Sequence, residues 1–239
     1  MKSLKQQAID LNLKGPDGGW AWYWIPGDER YVTSALPSEA PEPSVRAVWP
    51  LDNGLVPKVY RFDSGPHPRG IGYKRGGGSR AHTGIDLRAR KGDTVLAVDD
   101  GTIVSFYHFY RNTFALFINH GSYIVNYGEV DKNSLDRFGL VSPWGNTSKN
   151  DSKKSTGQNG STVKAGQPIA IVGKMYRSSM LHFEMYSSGK TNQPWVGFPS
   201  GSAPSRLLDP TNFLLTLANR KIAGTTVVKE PTVKTQACR

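Results

Sequence analysis

The chain has 239 residues, 37% of them apolar, with 30 Lys and Arg against 19 Asp and Glu, a formal net charge of +11. That is enough for one good-sized domain with extensions, while no run approaches the roughly 20 apolar residues of a membrane-spanning helix and the lone Cys238 excludes an intrachain disulfide framework or a cysteine-rich metal cluster. The excess charge calls for an anionic partner (nucleic acid, membrane surface or bacterial wall polymer) without choosing among them.

Residues 1–47 read as an irregular leader. Lys2 and Lys5 are basic, but the run Ala8-Ile9-Asp10-Leu11-Asn12-Leu13 is broken twice by polar residues and does not match an export signal. The expectation is a protein made in the cytoplasm that reaches any outside target by another route. Trp20, Trp22 and Trp24 alternate and share a face if this stretch is extended, which reads as core or interface rather than as a sugar-stacking platform. The Pro, Glu and Ser residues of 37–43 mark a linker. A main domain is expected over residues 48–220 and a tail over 221–239.

Gly, Pro and aromatic residues are plentiful in this domain, as in a turn-rich β protein. The Gly76-Gly77-Gly78 run lacks the Lys-Ser/Thr ending of a phosphate loop and reads as a mobile rim. Residues 94–98 and 102–106 flank Asp99-Asp100-Gly101 and predict a hairpin. A second pair, 114–119 and 122–127, surrounds His120-Gly121, and His120 reads as a structural turn residue. Residues 142–162 predict a long loop, functional or disordered. Strands are expected at 169–172 and 181–186. Asp209-Pro210 should cap a helix over 211–218.

Chemistry concentrates in two segments. In Arg80-Ala81-His82-Thr83-Gly84-Ile85-Asp86, the imidazole and the carboxylate lie about 13 Å apart if the chain is straight. They converge only if it bends, and Gly84 gives it that freedom. In the strand containing Leu181-His182-Phe183-Glu184, alternation puts Met180, His182, Glu184 and Tyr186 on one face and Leu181, Phe183 and Met185 on the other. Spacing alone leaves two readings open: a zinc site, or three ordinary hydrogen-bonded polar residues.

His82-Thr83-Gly84-Ile85-Asp86, Asn119-His120-Gly121 and Leu181-His182-Phe183-Glu184 together resemble the lysostaphin-type (LytM-like) zinc endopeptidases over residues 49–215. The resemblance implies a mainly β fold: an antiparallel sheet core, long loops around a groove and a short C-terminal helix. It implies Zn2+ held by His82, Asp86 and His182, and cleavage of peptidoglycan peptides. Together with the missing export signal, that leads to the expectation of a phage-borne or secretion-system-delivered enzyme acting in the periplasm or extracellular cell wall. The family usually carries two further histidines, at the positions of Glu129 and Met180 in this chain. The expectation is therefore a histidine-depleted variant of questionable competence, with Glu129 as general base and Tyr127 or Tyr186 as oxyanion or substrate contacts. The other reading of the same residues is an inactive zinc-bearing module that binds wall or a protein.

Two further readings carry less. Lys91-Gly92-Asp93-Thr94 is echoed by Lys164-Ala165-Gly166-Gln167, as in the paired elements of lipoyl-type barrels, but the Asp99-Asp100-Gly101 tip lacks the modified lysine. Nucleic-acid binding has no recognition motif beside the charge.

Overall fold

The runs richest in branched and aromatic residues become the central strands. The computed structural model describes residues 36–60, 67–148, 150–176, 178–188 and 193–227. Its principal strands are β1 (Ile85–Arg88), β2 (Thr94–Leu96), β3 (Gly101–His108), β4 (Phe114–Asn119), β5 (Ile124–Val130), β6 (Pro168–Ile171), β7 (Met180–Tyr186) and β8 (Leu207–Asp209). Helix α1 spans Ser134–Phe138 and α2 Thr211–Val227. The alternating tryptophans of the leader lie outside the described residues.

The main sheet is built on the antiparallel ladder β3-β4-β5-β7. Beyond β7, its free edge is shared: β1 pairs with residues 180–183 and β8 with residues 185–186. Ser38–Glu39 adds to β8 in parallel. At the opposite end, the expected long loop of residues 142–162 is partly ordered: Trp144–Gly145 and Lys154–Ser155 form a short antiparallel pair that docks on β3. The chain is thus mainly β, with an antiparallel core, long loops and a C-terminal helix.

The predicted 94–98/102–106 hairpin is not formed. β2 pairs with β6 and with Leu51–Asp52, whereas β3 pairs with β4. The Asp99-Asp100-Gly101 corner instead passes the chain from one sheet to another. Asp100 holds that corner by accepting from the Ala165 N–H at 3.0 Å and from Lys164 Nζ at 3.1 Å. The strands that the two echoing segments lead into pair with each other, Pro168 opposite Leu96 and Ile171 opposite Thr94. Gly76–Gly78 likewise forms a compact turn between Lys74–Arg75 and Arg80–Ala81, with all three glycines at positive φ.

The core lies under the face of β7 that carries Leu181, Phe183 and Met185, all fully buried. Helix α2 covers it. Its Phe213, Leu214, Leu217 and Ala218 fall on one side of the helix and are buried, and Phe213 stacks on Phe183. Asp209 starts the helix as expected, accepting from the Thr211 N–H at 2.9 Å. The helix continues past the expected residue 218 to Val227.

Candidate metal centre

Strand register assembles the site. Asp86 of β1 stands opposite His182 of β7, so both side chains leave the sheet on the same face. His82 lies just before β1, and the chain bends between it and Asp86 as the ligand spacing required. Gly84 permits this through its small size rather than a special φ. A Cβ there would stand 2.5 Å from the Phe183 carbonyl oxygen and 2.9 Å from His182 Cε1. On the other edge of β7, Gly128 is opposite His182, and a Cβ there would meet His182 Cβ at 3.1 Å.

His82 Nε2 is 3.1 Å from Asp86 Oδ1, His182 Nδ1 is 3.0 Å from the same oxygen, and the two nitrogens are 3.1 Å apart. All three residues are buried. Ligand atoms on a tetrahedral zinc, with bonds of about 2.0–2.2 Å, lie about 3.3–3.5 Å from one another. The triad fits such an ion with shifts of a few tenths of an ångström, and its two imidazoles and one carboxylate are a donor set that zinc accepts.

The outer atoms of the ligands are oriented as well. His82 Nδ1 donates to the Gly70 carbonyl at 2.9 Å, which leaves Nε2 free for a metal. Arg75 Nη2 donates to Asp86 Oδ2 at 2.7 Å, which leaves Oδ1 facing the imidazoles. His182 Nε2 is 3.5 Å from Glu184 Oε2, an ion-pair separation longer than a full hydrogen bond. Glu184 is itself held by Asn126 Nδ2 at 2.7 Å and the Tyr186 hydroxyl at 2.5 Å. His182 Nε2 has no hydrogen-bond partner among the described residues, so Glu184 stands behind the ring as a charge, at the place where a hydrogen-bonded carboxylate fixes the tautomer of many metal-ligating histidines.

Electrostatics follow from the packing. Burial opposes ionisation of Asp86, but the His82 and His182 imidazoles outweigh it and hold the carboxyl far below the usual range. Burial also works against His182, yet hydrogen bonding to Asp86 and the charge of Glu184 push its pKa up to about 10. Burial dominates for His82 and lowers it. One imidazole of the pair therefore carries the proton when no metal is bound, and a metal must displace it.

Glu129 occupies an unusual place. Phe114 pairs with Val130 and Ala115 with Gly128, so Glu129 is the extra residue of a β-bulge in β5. Its φ is 65°, in the left-handed region, a conformation costing a non-glycine residue on the order of 1 kcal/mol. The residue is only 9% exposed, and its Oε2 has no hydrogen-bond partner among the described residues. Burial and the nearby Asp86 charge push its pKa up to about 8, against the pull of His182, Arg75 and Arg69.

Two expected contacts are corrected. Tyr127 lies on the core face against Phe183 and is fully buried. Its hydroxyl accepts from the Val98 N–H at 2.9 Å and is bonded to His120 Nε2 at 3.1 Å, so it reaches no substrate. His120, with Nδ1 on the Asp100 carbonyl at 3.0 Å, is the structural residue it was expected to be. Tyr186 shares the polar face but is also fully buried, with its hydroxyl committed to Glu184.

The expectation of a histidine-depleted, doubtfully competent variant is also corrected. His82, Asp86 and His182 offer ligand atoms all within 4.8 Å of one another, and neither Glu129 nor Met180 substitutes for any of them. The metal triad is intact. Sequence reasoning gave no role to Arg75, seven residues before His82 and with no motif to mark it, and saw Glu184 only as a member of the polar face.

No protein-family model and no curated protein matches the chain. Solved structures do. A zinc-containing peptidase from Vibrio cholerae matches with 24% identity and a TM-score of 0.36, over 58% of this chain and 36% of that one. The antimicrobial peptidase lysostaphin from Staphylococcus simulans matches with 24% identity and a TM-score of 0.39, over 69% and 58%. Csd3 of Helicobacter pylori matches with 18% identity and a TM-score of 0.33, over 94% and 49%. The chain thus spans between 36% and 58% of those proteins. Similarities this low carry no weight for chemistry, which rests on the residues described above.

Proposed function

We propose that the protein is a zinc-dependent endopeptidase that cleaves cross-links or stem peptides of bacterial peptidoglycan. The observation that carries this reading is the buried His82, Asp86 and His182 triad with its ligand atoms 3.0–3.1 Å apart. Three protein ligands leave a tetrahedral ion one open position, the pattern of a catalytic rather than a structural zinc. A zinc ion held there would polarise the scissile carbonyl and acidify a water.

The chain's own residues supply the rest. Arg75 and Glu184 keep Asp86 and His182 aimed. Glu129 accepts the proton of the attacking water at Oε2 and returns it to the leaving amine. A carboxyl whose pKa burial brings to about 8 is suited to both steps near neutral pH. On this reading the place of action is the periplasm or the outer wall, reached by phage-type or secretion-machine delivery.

The test is paired. Wild type should hold one zinc per chain and release peptides from purified sacculi, and His182→Ala should do neither. Stoichiometric zinc with no peptide release between pH 5 and about 9 would refute the proposal.

A further inference from the structure

A groove of about 860 Å³ opens at the end of β5, lined by Asp131 and Lys132 just beyond the bulge. The chain ties groove and bulge together. Asp131, in the groove wall, is two residues beyond Glu129, and Lys174 follows Gly173, whose N–H donates to the Glu129 carbonyl at 2.8 Å. Phe114, opposite Val130 at the bulge, supplies apolar wall.

The charge of this groove is one-sided. Lys91, Arg111, Lys132 and Lys174 line it, against Asp131 as the one lining carboxylate. Asp131 Oδ1 is already engaged, accepting from the Asn133 N–H at 2.9 Å. All four cations are exposed, and none has an ion-pair partner among the described residues. Elsewhere Lys164 and Arg46 reach Asp100 at 3.1 and 3.6 Å and Lys221 donates to the Leu51 carbonyl at 2.6 Å, while Arg80, Arg88, Arg90, Arg137 and Lys154 are exposed without an ion-pair partner among the described residues but are not gathered around one groove.

Aromatic faces complete the rim. The Arg111 guanidinium lies 5.4 Å from the Tyr110 ring and 5.9 Å from the Tyr176 ring, and these tyrosines are 48% and 71% exposed. Arg111 has a φ of 53°, held by a bond from His108 Nε2 to its carbonyl. A non-glycine residue kept in the left-handed region marks a position that the surrounding structure over-determines.

We propose that this groove is an anion-reading subsite that holds carboxylates of the peptidoglycan peptides and feeds the same strand to the metal centre. The inference rests on the peptidase reading above. Free carboxylates are the anionic groups such peptides offer, and separated lysine point charges suit them along an extended chain. The tyrosines give flat faces for the neighbouring peptide or sugar.

The experiment uses the full chain with its zinc. Binding is measured by co-sedimentation with sacculi stripped of accessory polymers, in native form and with their carboxylates converted to neutral amides. Wild type should bind native sacculi, and Lys132→Glu/Lys174→Glu should bind about tenfold more weakly with unchanged zinc content and melting temperature. Lys91→Glu/Lys132→Glu, on a different pair of segments, should repeat the loss. Amidation should bring wild type down to the variants' level. Equal binding of wild type and both variants, or no effect of amidation, would overturn the subsite. So would tighter, variant-sensitive binding to a short DNA duplex, which would reassign the groove to nucleic acid. The two proposals fail separately: zinc-loaded protein that releases no peptide but loses sacculus binding in the variants refutes the peptidase and keeps the groove, and variants that bind and cleave like wild type refute the groove alone.

Discussion

In the metal centre, Asp86 is buried and meets two imidazoles and a guanidinium, and His182 is backed by a glutamate that two other side chains hold. In the groove, Lys132 and Lys174 are exposed with no ion-pair partner among the described residues. The first region concentrates charge where the dielectric is low, so its interactions are strong, directional and costly to leave incomplete. The second spreads charge where water and salt screen it, which suits reversible capture of a polymer. On the two proposals made above, the first region aims an ion and the second gathers its substrate.

The sharpest break is on the buried side. Glu129→Gln should lower peptide release by about 100- to 10,000-fold, the usual contribution of a positioned acid–base group, while one zinc per chain remains. Activity within about tenfold of wild type would remove Glu129 from its role as base. The next largest effect should come from Glu184→Gln, which weakens the orientation of His182. Its zinc affinity should fall about 10- to 100-fold, as read by competition with a chromogenic chelator. Unchanged affinity would mean that the 3.5 Å contact does not orient the ligand.

Two smaller effects sharpen the contrast through stability. Gly84→Ala forces a Cβ against the Phe183 carbonyl and should cost about 1–3 kcal/mol in denaturant unfolding, whereas the charge reversals in the groove should cost under about 0.5 kcal/mol. In the metal-free protein, Glu129→Gln should raise the melting temperature in a pH-dependent way. The Glu129 carboxyl titrates near 4.5 unfolded and about 8 folded. Its raised folded pKa means that stability falls as pH rises from 4.5 to 8 and then levels off. The advantage of the glutamine variant should be near zero at pH 4.5 and largest above pH 8. An advantage independent of pH would show that the carboxyl does not titrate as its burial requires.

Much of the metal centre was legible before any fold. His82 and Asp86 share a short segment interrupted by glycine, and His182 shares a strand with an alternating apolar face, so strand faces could be read from the pattern and the ligand set from the resemblance of these motifs. The partners of Tyr127 could not. Tyr127 was expected as an oxyanion or substrate contact, but the fold places it on the opposite face of the sheet, in the core. The failed hairpin has the same origin. The Asp-Gly signal is local, whereas the strand partners of Thr94–Leu96, at Leu51–Asp52 and Pro168–Ile171, are distant in sequence.

By itself the sequence determined a basic, mainly β chain, because composition, glycine placement and the period-two pattern are local properties, while its motifs named two histidines and an aspartate as metal ligands only through their resemblance to a known family. Only the tertiary structure decided that Asp86 lies opposite His182, that Glu129 sits buried on a bulge and that Arg75 braces the aspartate. It also gathered Lys91, Arg111, Lys132 and Lys174 from four separate segments around one groove. Each of these depends on strand register and on which sheet edges meet, and those are settled by packing across the whole domain rather than by any one stretch of chain.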